Sequence, residues 1–439
     1  MVFPAYLQEP EIVSENTAAG LSGTLTLFPF KTECHRKSDA NLKQIFNFPK
    51  SRPLIKLTFH IINTLYLLNP RYENMKILFI GDYSNLHATI ADELRRKGHE
   101  ATVLSDKGGY LQTHADIFLK REPGIKGSLS YLYRLFSLLP ELKGYDALQL
   151  INPNFLNLRP GKIKYFFDKI KGQNGSVWLT LAGNDYYFVK ACNDPRIFRF
   201  SEFKEGDRLT EFASTNPAHF YGWMNNANRK LSEHIFEKID GAMSVLPEYD
   251  MAARPYLGDR LKFTNLPVNL ANLPFSPLEI EGPIKVFVGM RGGMEIQKGT
   301  ARLLASAREL EREMPEKIQV ESVRNLPLAE YLQKMKESHI VLDQLYSYSP
   351  ATNALQAMAM GRVAASGGQP EFYEYIGNPE YRPVISLSPF EPDIKERLSE
   401  FAADPTPLFK MSRQGRTLVE KNNDVSVVTD KFIEHWKRK

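Results

Sequence analysis

Cysteine is almost missing from this chain: Cys34 and Cys192 are the only two in 439 residues. Two thiols build neither a disulfide framework nor an ordinary cysteine-based zinc site. Their scarcity suits a reducing, cytoplasmic compartment. Long apolar runs are missing too. The most apolar piece, residues 54–68, is broken by Lys56 and His60 and falls short of the ~20 residues a membrane-spanning helix needs. No small-residue cleavage site follows a charged leader, so no signal peptide is expected. The nine histidines fall in no metal-ligand spacing, and there is no Walker loop, Gly-x-Ser-x-Gly elbow or His-Glu-x-x-His helix. His87 and His99 are expected as exposed residues flanking a helix, and His435 inside the last helix. Neither sign of charge dominates. A net charge of +5 fits an anionic substrate, or a brush against an acidic membrane surface, without demanding nucleic acid.

What is present is a soluble globular composition, 43% hydrophobic and 24% charged, in a chain long enough for two cores. Residues 1–74 lack sustained periodicity, and Met75-Lys76-Ile77-Leu78-Phe79-Ile80-Gly81 reads as a methionine opening a buried strand. Residues 1–74 are therefore expected to be a disordered or non-native extension; the other reading is an accessory membrane-proximal piece. From Met75 onward short apolar runs alternate with helical patterns, the signature of parallel sheets covered on both faces. Strands are expected over 76–80, 101–104, 147–151, 176–181 and 241–245. Pro267, Pro274, Pro277 and Pro283 punctuate a linker over 267–283, since proline withholds the donors that element interiors need. The alternation restarts at 284. The expected fold class is α/β, with one Rossmann-like domain over 75–266 and another over 284–421. A terminal helix over 422–439 carries Val425, Val428, Phe432 and Trp436 on one stripe.

The turn after the first strand, Gly81-Asp82-Tyr83-Ser84-Asn85-Leu86-His87, has one glycine. A dinucleotide site wants Gly-x-Gly-x-x-Gly there, so an NAD or FAD enzyme is disfavoured. Residues 339–371 carry the densest chemistry: a buried strand, a polar turn, a helix and a Gly-Gly loop. Ser349 is the expected N-cap, Pro350 the first helical residue, and Gly361 the stop after a helix over 351–360. By local chemistry alone this is first an ordinary capped helix and second a seat for a phosphate.

Gln356-Ala357-Met358-Ala359-Met360-Gly361-Arg362-Val363, followed by Gly367-Gly368-Gln369-Pro370-Glu371, resembles the nucleotide-sugar site of GT-B glycosyltransferases, particularly the large retaining group often called family 4. The resemblance is looser but collinear from Met75 to the C-terminus. It implies two Rossmann-like domains facing a cleft and transfer of a sugar from a nucleotide diphosphate-sugar, with retention and without metal or other cofactor. It also implies a saccharide or lipid-linked acceptor and peripheral work at the inner face of a membrane. The loop from Gly289 to Thr300 resembles the family's Gly-Arg…Glu-Lys-Gly loop, which assigns Arg291 and Lys298 to the donor diphosphate. An extra residue precedes Arg291, so Lys298 is the closer match. The amides of Ala351 and Thr352 would meet the same phosphates, with Ser349 beside them among the substrate-binding residues.

Where the family places two glutamates eight positions apart, this chain has Tyr348 and Gln356, which makes it a divergent member. Gln356 would accept a ribose hydroxyl through its amide oxygen, and Glu371 would either supply a displaced acidic contact or simply open the next helix. In the first half, Gly81, Asp82 and Asn85 would touch acceptor or donor, or form a plain polar turn. Asp185 follows a buried strand and is the candidate for acceptor binding or proton handling, against a helix N-cap. Residues 323–328 are the expected base pocket. A non-catalytic nucleotide- or partner-binding relative and a nucleotide-sugar epimerase are the alternative functions.

Overall fold

The computed structural model describes residues 74–106, 115–377, 380–390 and 394–437. The expected extension up to residue 73, with Cys34 and the 54–68 stretch, lies outside them. The first half runs through β1 (Lys76–Ile80), β2 (Glu100–Ser105), β3 (Ile117–Phe118), β4 (Ala147–Leu150) and β5 (Ser176–Leu181). A short hairpin of β6 (Lys204–Glu205) and β7 (Arg208–Leu209) follows, then β8 (Gly241–Ser244) and β9 (Leu261–Phe263). Seven of these strands form one sheet in the order β3-β2-β1-β4-β5-β8-β9, every pair parallel. Parallel pairing requires crossovers, and helices such as Leu86–Arg96 and Pro160–Lys171 supply them. Ile77, Leu78, Phe79 and Ile80 are all buried, as a strand covered on both faces must be.

The second half contains β10 (Ile284–Met290), β11 (Ile318–Arg324), β12 (Ile340–Leu342), β13 (Val363–Ser366) and β14 (Ile385–Ser386), parallel in the order β11-β10-β12-β13-β14. Along β10 the pleat sends Val286 and Val288 to one core and Phe287 to another. The Phe287 cluster is continuous with the core of the first sheet through the last two helices, Thr406–Asn422 and Val425–Lys437. Val425, Val428, Phe432 and Trp436 are all buried. Trp436 Nε1 donates to Gln149 Oε1 at 3.0 Å and Lys97 pairs with Asp430 at 2.8 Å, so the final helix lies against the first sheet.

Each strand order reverses beside its opening strand, between β1 and β4 in one sheet and between β10 and β12 in the other. Open α/β sheets bind ligands at such points, outside the carboxyl ends of the strands. The topology therefore nominates two crevices before any side chain is considered.

Two local expectations are corrected. His87 and His99 are buried, 0% and 5% exposed. His87 shares a stripe with Ile90, Ala91 and Leu94 on the inward face of Leu86–Arg96, and its polarity is met inside. Its Nδ1–H donates to the Gly81 carbonyl (2.7 Å), leaving Nε2 to accept from the Thr180 hydroxyl (2.8 Å). The helix expected from Ser349 begins at Thr352, with Ala351 at the N-cap position and no side-chain cap. Ser349 bonds elsewhere, as described below. At the first turn Asn85 sits at the N-cap in a left-handed conformation without a side-chain bond; Asp82 Oδ1 accepts the His87 amide instead, at 2.9 Å.

Candidate functional site

At the second crevice, β10 ends in a loop and one short helical turn, Glu295–Lys298. Gly299 closes that turn at φ +72°, and a Cβ there would stand 2.6 Å from Leu345 Cβ. Only glycine satisfies both constraints. The close approach lets the Leu345 amide donate to the Lys298 carbonyl at 2.9 Å, which ties the lysine loop to the turn after β12. Gly367 does the same from the other side, since a Cβ would lie 2.6 Å from the Ser349 nitrogen. Three loops thus converge at the switch point.

A cavity of about 150 Å³ opens where these loops face the first domain. Lys298, Gln297 and Tyr348 line it from one side, and Asn184, Glu202 and Glu248 from the other. Among the described residues, no carboxylate lies within ion-pair distance of Lys298. Glu202 is held by Asn184 Nδ2 at 2.9 Å and by Gln297 Nε2 across the cleft at 2.5 Å. Next to them Tyr346 donates to Glu205 at 2.7 Å. The helix Thr352–Ala359 opens with no side-chain acceptor for its first-turn amides. Lys298 places a positive charge without an ion-pair partner among the described residues in the cavity, and the uncapped amides of that helix are a second feature suited to an anion.

Glu248 is the unexpected occupant. It stands one residue into the helix Pro247–Leu257, just beyond the carboxyl end of β8. Its Oε1 accepts the amides of Tyr348 (2.8 Å) and Ser349 (2.9 Å), and its Oε2 accepts the Ser349 hydroxyl (2.6 Å). Burial pushes this carboxyl above its ordinary value, against the lowering effect of the Ser349 hydroxyl and the amides. The Ser349 amide is therefore already bonded to a carboxylate of the first domain. Tyr348, 2% exposed, stacks on Phe200 with centroids 4.7 Å apart, and its hydroxyl accepts the Arg199 and Phe200 amides. The residue standing where a glutamate was expected is thus a plug in an aromatic cluster of the first domain.

The other nominated residues scatter. Glu371 opens the helix Pro370–Tyr375 and pairs with Arg199 at 3.0 Å. Gln356 is half-buried with no hydrogen-bond partner for its amide among the described residues, and Arg291 is exposed on its loop, outside the lining of the cavity. Ala351 and Thr352 sit half-buried at the helix start. Asp185 caps the helix Tyr186–Cys192, accepting the Phe188 amide at 2.8 Å; burial pushes its carboxyl up to about 6. Glu202, Glu248, Arg199 and Asn184 were not nominated from sequence. A signal existed for Glu248, whose place just past a buried parallel strand is where crevice residues lie.

The first crevice holds a separate cavity of about 310 Å³, lined by Gly81, Asp82, Tyr131, Asn154, Asn157 and Trp223 among others. Gly81 adopts φ +82°. Asp82 is 5% exposed, and its Oδ2 has no hydrogen-bond partner among the described residues. Burial pushes its carboxyl up to about 6, against the lowering effect of the His87 amide. Asn85 lies half-buried nearby in the chain, outside this lining. Among the described residues no group of three or more His, Cys, Asp or Glu side chains gathers to hold a metal.

No family model matches this chain, and no curated protein matches it in sequence. Solved structures do match. Sucrose-phosphate synthase of Thermosynechococcus elongatus superimposes with a TM-score of 0.55 at 14% identity, over 83% of this chain and 98% of that one. HepE of Anabaena, solved with UDP and glucose, gives 0.52 at 14% identity, over 83% and 100%. At such identities the likeness is one of fold, and it agrees with the two sheets and their switch points: the chain has the GT-B architecture of two Rossmann-like domains facing a cleft.

Proposed function

We propose that this chain is a glycosyltransferase that moves a sugar from a nucleotide diphosphate-sugar to a hydroxyl of a saccharide or lipid-linked acceptor, with retention and without metal. The observation that carries the reading is Lys298. An ammonium without a carboxylate partner among the described residues lines the interdomain cavity at a topological switch point, and the helix Thr352–Ala359, which follows the lining residue Tyr348 in the chain, starts without a side-chain cap. Breaking the sugar–phosphate bond places new negative charge on the departing diphosphate. Fixed positive groups aimed at that charge stabilise the transition state more than the bound substrate. Lys298 and the amides of Ala351 and Thr352 take that role, with Arg291 reaching in from its exposed loop. Gln356 and residues 323–328 flank the nucleoside. Glu202, already oriented by Asn184 and Gln297, accepts sugar hydroxyls. Asp82, which lines the first cavity and keeps one carboxylate oxygen without a partner among the described residues, receives the acceptor hydroxyl. That HepE carries UDP and glucose in the same fold supports a nucleotide donor.

A second reading rests on Glu248 and Tyr348. With a carboxylate already on the Tyr348 and Ser349 amides and an aromatic plug where an acid was expected, the fold would bind a nucleotide without turnover. Calorimetric titration with UDP and GDP, together with assays for sugar release from UDP- and GDP-sugars, separates the two. Lys298→Ala is expected to weaken diphosphate binding about tenfold or more while leaving the melting temperature unchanged. Binding without sugar release on any acceptor favours the second reading. Unaltered diphosphate affinity in the variant refutes both.

A further inference from the structure

Residues 199–205 belong to the first domain, yet several of their side chains reach the second. The segment is a tight loop. Its Ser201 amide donates to the Lys204 carbonyl at 2.7 Å, and the Gly206 amide to the Arg199 carbonyl at 2.8 Å. The Ser201 hydroxyl on the Cys192 carbonyl (2.8 Å) and the buried rings of Phe200 and Phe203 fix the loop to its own domain. Across the cleft, Arg199 pairs with Glu371 at 3.0 Å and donates to Gln369 Oε1 at 3.1 Å. Glu205 accepts the Tyr346 hydroxyl at 2.7 Å and lies 3.4 Å from the Arg302 guanidinium. Between them in the chain, Phe200, Ser201 and Glu202 line the Lys298 cavity. One loop therefore both walls the cavity and fastens the two domains.

The chemistry of that fastening works against an incoming anion. Glu202 accepts the Gln297 side-chain amide, Glu205 the Tyr346 hydroxyl, and Glu248 the Tyr348 and Ser349 amides. Asp250, on the helix of Glu248, accepts the Tyr375 hydroxyl at 3.0 Å. Carboxylates of one domain thus occupy hydrogen-bond donors of the other. A diphosphate brought to Lys298 shares a small cavity with the Glu202 carboxylate, and like charges repel more strongly where water is excluded. Because the loop is anchored in its own domain, widening the cavity on this side means breaking its bonds to the other.

We infer that residues 199–205 are an electrostatic latch: the bonds of Arg199 and Glu205 to the second domain hold the cleft together beside Lys298, and an anionic ligand enters only against them. The inference rests on the anion-binding role proposed above for Lys298 and extends it to control of access. When the binding-competent form is only partly populated, apparent affinity falls by that fraction, so a weaker latch should give tighter binding. The double variant Arg199→Ala, Glu205→Ala removes one charge of each sign, which leaves the net charge unchanged, and neither side chain lines the cavity. Calorimetric titration of the full chain with UDP, GDP and inorganic pyrophosphate should show affinity about tenfold higher in this variant. Hydrogen exchange supplies a readout that needs no ligand. Peptides covering 199–205 and 344–349 should exchange faster in the variant, while β1 and β10 keep wild-type protection. Tyr346→Phe, which removes one hydroxyl, should act in the same direction and serves if the double variant folds poorly. Equal or weaker affinity in the variants overturns the latch and leaves the Lys298 reading in place. Unchanged exchange overturns it whatever the titration shows. Silence of wild type and variants toward all three anions instead refutes the role of Lys298, and the latch with it.

Discussion

Glu248 offers a test that separates hydrogen bonding from charge. Its carboxylate serves two amides and one hydroxyl across the domain boundary. Glu248→Ala leaves all three without a partner in a buried place. At ~1–3 kcal/mol for each stranded group, with partial relaxation, the loss is about 3–5 kcal/mol. Glu248→Gln keeps the geometry: its amide oxygen accepts both backbone amides, and its NH2 donates to the Ser349 hydroxyl, which turns to accept. The neutral side chain also avoids the cost of burying a charge.

Because burial raises the folded-state value of Glu248, the folded protein binds more protons than the unfolded chain between the ordinary glutamate value and the raised one. Stability from this group is then full below the ordinary value and is lost as pH rises through the raised one. The Gln variant should therefore equal wild type in acid and match or exceed it at pH ~8. Urea unfolding of wild type, Gln and Ala variants at both pH values measures this, and other titrations largely cancel in the differences. A Gln variant as damaged as the Ala variant at the higher pH would refute the assignment of burial as the dominant influence.

Two further outcomes are expected. Burial pushes His87 down to about 3, so its neutral form contributes stability that is full above pH ~6.5 and lost toward acid at up to ~1.4 kcal/mol per pH unit. His87→Gln should flatten that slope by about 2 kcal/mol between pH ~6.5 and ~5 in urea titrations, and parallel slopes would contradict the neutral tautomer. Gly299→Ala should cost about 2 kcal/mol or more, from the left-handed backbone and the approach to Leu345. It should also weaken diphosphate binding by displacing Lys298, whereas a thermal melt and titration indistinguishable from wild type would show that the loop contact is dispensable.

Much of this protein is written in short-range pattern. Period-two and unbroken apolar runs, prolines 267 to 283 and the stripe of Val425, Val428, Phe432 and Trp436 depend on residues near one another in the chain, so they can be read without a fold. The placement of Lys298 before Gly299 belongs to this class, because the left-handed turn and the loop demand are local. Other features joined residues far apart in sequence. Glu248 reaches Ser349 over 101 positions. His87, Thr180, Gln149 and Trp436 share a buried hydrogen-bond chain. Polarity alone sent His87 to the surface and gave the Ser349 hydroxyl to its own helix. A buried polar group is stable wherever a partner meets it, and only the packed domains determine which partner that is.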